Sequence, residues 1–258
     1  MPRAPGPAAP RHGFGRAARG FHWLCAFAII ATAALGLVML RLPAGSETEV
    51  AAIYSAFSAH KTLGIATFAL VLARLGWTLR HPGPGPLQPA RRVETFLADL
   101  VHWTLWGAML VLPVTGWLHH SAAPGFAPIL WPFGQSLPLI EADEARALEW
   151  QTLHRAASWL LYGALALHVL GTLKHALVDR DATLARMVTG DGPPVPPART
   201  GRFAAALAVG LWTAIIAASL HLAPKPDPDP FGTLDGFDGL DEIDGLGEPV
   251  LPGSAPLQ

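Results

Sequence analysis

Apolar residues in this chain gather into five long stretches, and charged residues collect between them. The stretches cover residues 21–40, 59–79, 100–118, 158–178 and 203–222, each close to the ~20 residues a helix needs to cross a ~30 Å hydrocarbon core. Five transmembrane helices are predicted, with the third shortened by Pro113 and the second carrying Arg74 within it. Pro124, Pro128, Pro132 and Pro138 make the connection between the third and fourth an irregular loop, and Phe126, Trp131 and Phe133 place that loop at the membrane surface. The first stretch exceeds the ~7–15 apolar residues of a cleaved secretory signal and is expected to be a retained helix. The expected organisation is an N-terminal segment over 1–20, a helical bundle over 21–190, a linker with the fifth helix over 191–222, and a disordered acidic tail over 223–258.

Composition supports a membrane class. Of 258 residues only 14% are charged and 51% are hydrophobic, against about 25% charged in ordinary soluble domains. Cys25 is the single cysteine, which excludes an internal disulfide, a cysteine zinc cluster, a four-cysteine iron–sulfur cluster and a C-x-x-C-H haem attachment. Histidine is the abundant ligand type, with 11 His against 2 Tyr.

The net charge of −1 conceals a strong asymmetry. With the N-terminus cytoplasmic, 13 of the 18 Lys and Arg fall on the inner side and 14 of the 19 acids on the outer side. This inside-positive split sets the orientation of a multi-pass membrane protein, and five spans then put the C-terminus outside. The acidic tail spaces Asp235, Asp238, Asp241 and Asp244 by three, but its glycines do not follow a calcium-binding EF-hand loop.

Ionisable side chains inside a membrane are costly without partners and so mark function. His22 opens the first helix at its inner end and His60 opens the second at its outer end. His154 stands at the outer mouth of the fourth, with His168 fourteen residues further along. Fourteen residues are nearly four turns and roughly 21 Å of rise, so His154 and His168 share a face at two depths. His60 is then level with His154, and His22 with His168. Two imidazole pairs at two depths suit two six-coordinate b haems stacked in a four-helix bundle. The expected class is therefore an all-α, integral membrane, four-helix haem-binding bundle with a fifth transmembrane helix.

His175, one heptad beyond His168, is open as an alternative ligand, a quinone neighbour or an interfacial residue. His102 is similarly open. Arg74 lies fourteen residues after His60, at the depth of the inner haem, where it would meet a propionate or else snorkel to the surface. Lys61 and Arg155, each beside an outer histidine, are candidates for the outer haem's propionates. Gly64 and Gly163 would let a porphyrin approach the backbone. His12, His81, His119, His120 and His221 are expected to be bystanders.

In this order and spacing the residues resemble the bacterial cytochrome b561 family, dihaem membrane cytochromes related to the b subunits of hydrogenase and formate dehydrogenase. The likeness is carried by Phe21-His22-Trp23, by His60-Lys61-Thr62-Leu63-Gly64 with Arg74, and by His102 with the run Leu112 to Trp117. On the fourth helix it is carried by Leu153-His154, Ala166-Leu167-His168 and Leu173-Lys174-His175, and it closes on Asp179 to Met187. The resemblance implies that His22 and His168 ligate an inner haem b and His60 and His154 an outer one. It further implies electron passage to or from quinone.

The expected function is electron transfer between the quinone pool and a periplasmic redox partner. A haem b anchor for a larger oxidoreductase, with a catalytic subunit docked outside, and a haem-free transporter with histidines along a proton or metal path are the alternatives. Lipid and quinone are expected partners, a homodimer stays open, and no nucleic acid is expected.

Overall fold

A computed structural model of the protein describes residues 13–123, 127–198 and 201–226. Six α-helices are formed among them: α1 (Arg16–Met39), α2 (Glu47–Arg80), α3 (Arg92–Ala122), α4 (Glu144–Lys174), α5 (Thr183–Val188) and α6 (Arg202–Leu222). A π-helical turn, His175–Asp179, extends α4. All but α5 are long and apolar enough to cross a membrane, giving five candidate spans. No strand occurs among the described residues; Pro84 and Pro197 form an isolated bridge. The chain divides into two units, Met1–Pro224 and Lys225–Gln258. The acidic tail, like Phe126 and Pro124 of the loop and His12, lies outside the described residues.

Helices α2 and α4 begin well before their apolar cores. At 34 residues, α2 is about 51 Å long and overreaches the bilayer core. Its start is set by Ser46, whose Oγ accepts the Glu49 backbone N–H at 3.3 Å, while Glu49 Oε2 accepts from Gly45 N at 2.7 Å. This is a capping box displaced by one residue. Asp143 caps α4 by accepting from Arg146 N at 3.0 Å. His60 and His154 thus lie more than two turns inside their helices rather than at their mouths. Nor does Pro113 shorten α3, which continues to Ala122. Just after the proline, Thr115 Oγ1 donates to Val111 O and Leu112 O at 2.8 and 3.0 Å.

Antiparallel α1 and α2 pack together, as do α3 and α4, and α2 joins the pairs through α3. At the N-terminal end of the bundle, Phe14 N donates to Arg186 O at 3.3 Å, and Gly85 N to Pro196 O at 2.8 Å. The buried Arg186 donates from Nη2 to Gly85 O at 2.9 Å. These bonds bind the approach to α1, the α2–α3 connection and the segment after α5. At the far end, the segment 127–143 folds back over the helices: Leu130 N donates to Thr62 Oγ1 at 2.8 Å and Leu137 N to Ser121 Oγ at 2.9 Å. Trp131 packs against Trp117 and Phe133 with ring centroids 5.4 and 5.2 Å away.

Helix α6 runs along α3 and α4. Buried Trp212 joins Ala108, Ala157 and Leu161 in one apolar cluster, and its indole lies directly over Gly107, where a Cβ would overlap it. Close approach at a small residue is how membrane helices gain packing contacts without a hydrophobic drive. Gly107→Val is expected to displace α6 and to cost about 1–3 kcal/mol by overpacking, read as a lower unfolding midpoint in detergent. An unchanged midpoint would refute the contact.

Candidate haem-binding site

Four helices contribute histidine, arginine or glycine to two layers within the apolar bundle, and each helix does so twice. On α1 the residues are His22 and Gly36, on α2 Arg74 and His60, on α3 His102 and Gly116, and on α4 His168 and His154. The interval is fourteen residues in every case, two heptads, which keeps one helix face turned to the same neighbours. His22, Arg74, His102 and His168 form the layer nearer the N-terminal end. Gly36, His60, Gly116 and His154 form the far layer.

In the far layer the His60 and His154 rings lie 6.3 Å apart between centroids, at 81°. His60 Nδ1 donates to Thr32 O at 3.1 Å. His154 Nδ1 donates to Leu112 O at 3.1 Å, with Thr115 Oγ1 at the same distance. Each ring therefore carries its hydrogen on Nδ1 and keeps a lone pair on Nε2, the orientation that second-sphere carbonyls impose on ligand histidines. Glycine is required beside both. A Cβ on Gly36 would come within 3.0 Å of His60 Cε1, and one on Gly116 within 3.3 Å of His154 Cε1.

In the other layer the His22 and His168 centroids are 6.2 Å apart at 53°. His102 touches His168 edge-on, at 5.1 Å and 76°, and its Nδ1 donates to Ala98 O at 2.7 Å. Arg74 turns inward rather than snorkelling. Its Nη2 donates to His22 Nδ1 at 3.3 Å, and its guanidinium lies 5.1 Å from the Trp106 ring centre.

His175 is held elsewhere. Its Nδ1 lies 2.9 Å from Asp181 Oδ2 and 3.2 Å from Asp179 Oδ2. Burial alone would raise the Asp181 pKa, but hydrogen bonds from Thr183 and His175 hold it below the usual carboxylate range. Lys174 bridges Glu94 and Asp179 at 3.0 and 2.8 Å, and Arg91 does the same at 3.3 and 3.0 Å. Glu94, His175 and Asp179 are close enough to hold a metal ion, yet two cations already neutralise the carboxylates, and the group is an ion-pair network.

The spacing fits haem. A metal–imidazole bond of about 2.0 Å, with the ring centre roughly 1.1 Å behind the nitrogen, puts two axial imidazoles on one iron about 6.2 Å apart. Both observed pairs meet that distance; the His102–His168 contact falls short of it. Of the other sequence candidates, Arg155 and Gly163 are exposed, and a Cβ on Gly64 or Gly163 would meet no atom within 4 Å. Lys61 Nζ donates to Ala127 O at 2.8 Å and to His120 Nδ1 at 3.1 Å.

The sequence reading missed Gly36, Thr32, Trp106 and His120. His120, placed among the bystanders, is only 5% exposed. Its signal was its position four residues after Gly116, on the same helix face. His119 bonds Ala147 O through Nδ1 at 2.9 Å and joins α3 to α4. His81 stacks on Trp77 at 3.9 Å.

The fold and these two layers define a multi-pass, all-α membrane protein whose bundle is built for haem. Comparison with known families narrows this: the prokaryotic cytochrome b561 family matches residues 13–190, and the chain belongs to it. Cytochrome b561 homolog 2 of Escherichia coli (strain K12) is 27% identical over 175 residues, covering 68% of this chain and 90% of that protein. The probable superoxide oxidase CybB of Yersinia pestis is 28% identical over 133 residues, 50% of this chain and 72% of that one. The protein is thus a membrane cytochrome, and haem b and electron transfer come with the family.

Gly36→Val is expected to push the His60 ring from its place and to remove or convert one haem signal in the reduced-minus-oxidised spectrum. Full retention of the wild-type spectrum would contradict the role given to this glycine.

Proposed function

We propose that the protein holds two b haems and carries electrons between a membrane quinone and a redox partner beyond the far end of the bundle. His22 and His168 hold the haem of the N-terminal layer, and His60 and His154 that of the far layer. The paired centroid distances of 6.2 and 6.3 Å carry this reading. Bound haem b supplies one-electron iron chemistry; the protein's residues orient the ligands, exclude water and balance charge. His60 and His154 are already turned with Nε2 available. His22 is not: Nδ1 accepts from Arg74, so its ring hydrogen lies on Nε2. To hold haem through Nε2, His22 would need its ring hydrogen on Nδ1 instead, and Arg74 would then be available to pair with a propionate.

The N-terminal end faces the cytoplasm in this reading, because it gathers most of the Lys and Arg, and the membrane is the bacterial inner membrane. Quinone approaches beside His102, which is in contact with His168. The far end is periplasmic and strongly acidic by sequence. The Yersinia pestis relative is named for superoxide, an anion, and an acidic face does not gather anions. A cationic or protein donor or acceptor suits this surface better. A haem anchor within a larger oxidoreductase is a second reading, favoured by α6, which lies outside the family match.

His60→Ala and His154→Ala are each expected to lose the same haem, and His22→Ala and His168→Ala the other, by pyridine haemochrome count and redox titration. Loss of different haems within either pair would break the assignment. Electron exchange with a cationic soluble partner should slow as ionic strength rises; a rate that increases with salt would overturn the charge argument.

A further inference from the structure

Arg74 is a cation with no acid beside it. It is half-buried and lies six residues before α2 ends at Arg80, about 9 Å of helix. Among the described residues no carboxylate pairs with it. A guanidinium so near a helix end has another course open, since its long stem can carry the charge toward the water. Arg74 turns into the bundle all the same, so something inside holds it.

Five groups surround the guanidinium. Nη2 donates to His22 Nδ1 at 3.3 Å, the Cys25 thiol is within hydrogen-bonding reach, His102 and His168 are near enough to feel its charge, and the Trp106 ring lies 5.1 Å away. The bond to His22 is conditional. Once His22 carries its hydrogen on Nδ1, as a ligand bonding through Nε2 does, it has no lone pair there to offer a group made only of donors. A thiol is a weak acceptor, and neutral imidazoles bring no charge. The indole face remains, and tryptophan presents the most attractive aromatic surface to a guanidinium.

Trp106 is placed for this contact. It follows His102 by four residues, one turn along the same face of α3, and packs against the buried cluster of Cys25, Val71 and Met109. Those three come from α1, α2 and α3, with Cys25 three residues after His22 and Val71 three before Arg74. Side chains of three helices therefore fix the ring beside the N-terminal layer.

We propose that Trp106 is the positioning residue of Arg74: its ring face keeps the guanidinium in the N-terminal layer, beside the His22–His168 pair, in the place where a carboxylate would otherwise be needed. This rests on the two-haem reading above and adds to it a residue that acts on the haem through another side chain. A positive charge held near a haem favours the ferrous state, because reduction adds an electron there. Trp106 thereby raises the potential of the haem at this end.

The test uses the full-length protein in a His60→Ala background, which leaves the N-terminal haem alone for redox titration. Trp106→Leu is expected to free Arg74 toward the surface and lower the midpoint potential, a change of roughly threefold or more in the ferric–ferrous equilibrium. Trp106→Phe keeps a ring face and should recover part of the shift. With Arg74→Gln already present, Trp106→Leu should add nothing, because the charge it positions is gone. An unchanged potential in Trp106→Leu overturns the proposal, and so does an equal shift with and without Arg74, which would mean that the ring acts by packing alone. Should Trp106→Leu not fold, fluorinated tryptophans at position 106 keep the shape while weakening the ring's negative face. A potential that falls stepwise with fluorine number supports the contact, and a constant one overturns it. If the wild type carries no haem that His22→Ala removes, the two-haem reading has failed and this proposal falls with it; a haem that is present but indifferent to Trp106 sinks this proposal alone.

Discussion

The two-heptad interval between functional residues on four helices is the constraint on which the rest of the structure depends. An imidazole or guanidinium in hydrocarbon is tolerated only when it meets a partner. A helix that carries two such groups must therefore present both to the same neighbours. At 3.6 residues per turn, fourteen residues fall about 40° short of four whole turns; a left-handed supercoil with 3.5 residues per turn removes that drift. The layers consequently stack roughly 21 Å apart along the helices. Between them lie Cys25, Val71 and Met109, with Ile29, Leu70, Trp106 and Leu110 packed around them. These side chains separate the two layers.

Within each layer the helices divide the work unequally. In the far layer α2 and α4 provide imidazoles, while α1 and α3 provide glycines that make room for them. In the N-terminal layer α1 and α4 provide the facing pair, α3 adds His102, and α2 provides the cation. Only α4 supplies a ring to both, which explains why its two histidines were the clearest arithmetic in the sequence. The layers also differ in readiness. The far-layer histidines are locked to carbonyls of their neighbours, whereas His22 shares its Nδ1 with Arg74.

The membrane class, the five spans and the histidine depths were legible because they follow from run length and from spacing along single helices. What escaped was non-local. Gly36 and Gly116 are ordinary small residues in membrane helices until a facing ring requires them. His120 looked like a loop residue because nothing in the local sequence shows that the segment after α3 folds back over it. The helix starts were missed for another reason: the polar turns of α2 and α4 beyond the apolar core carry no hydropathy signal, although Ser46, Glu49 and Asp143 mark those starts as caps. Pro113 was expected to shorten the third span, but α3 continues through it to Ala122.

Helix α6 stands outside the family match, yet it is built into the bundle rather than appended to it. Phe203 packs against Phe96 with centroids 5.6 Å apart, and Trp212 rests on Gly107 nine residues further along. The two contacts advance in the same direction, eleven residues along α3 and nine along α6, so the two helices run parallel over about two and a half to three turns. Gly107 belongs to the core covered by the family match, so the small residue that receives α6 lies five residues after His102 and nine before Gly116. The docking surface is the flank of the helix that positions both layers. A helix seated there covers the α3–α4 side of the bundle.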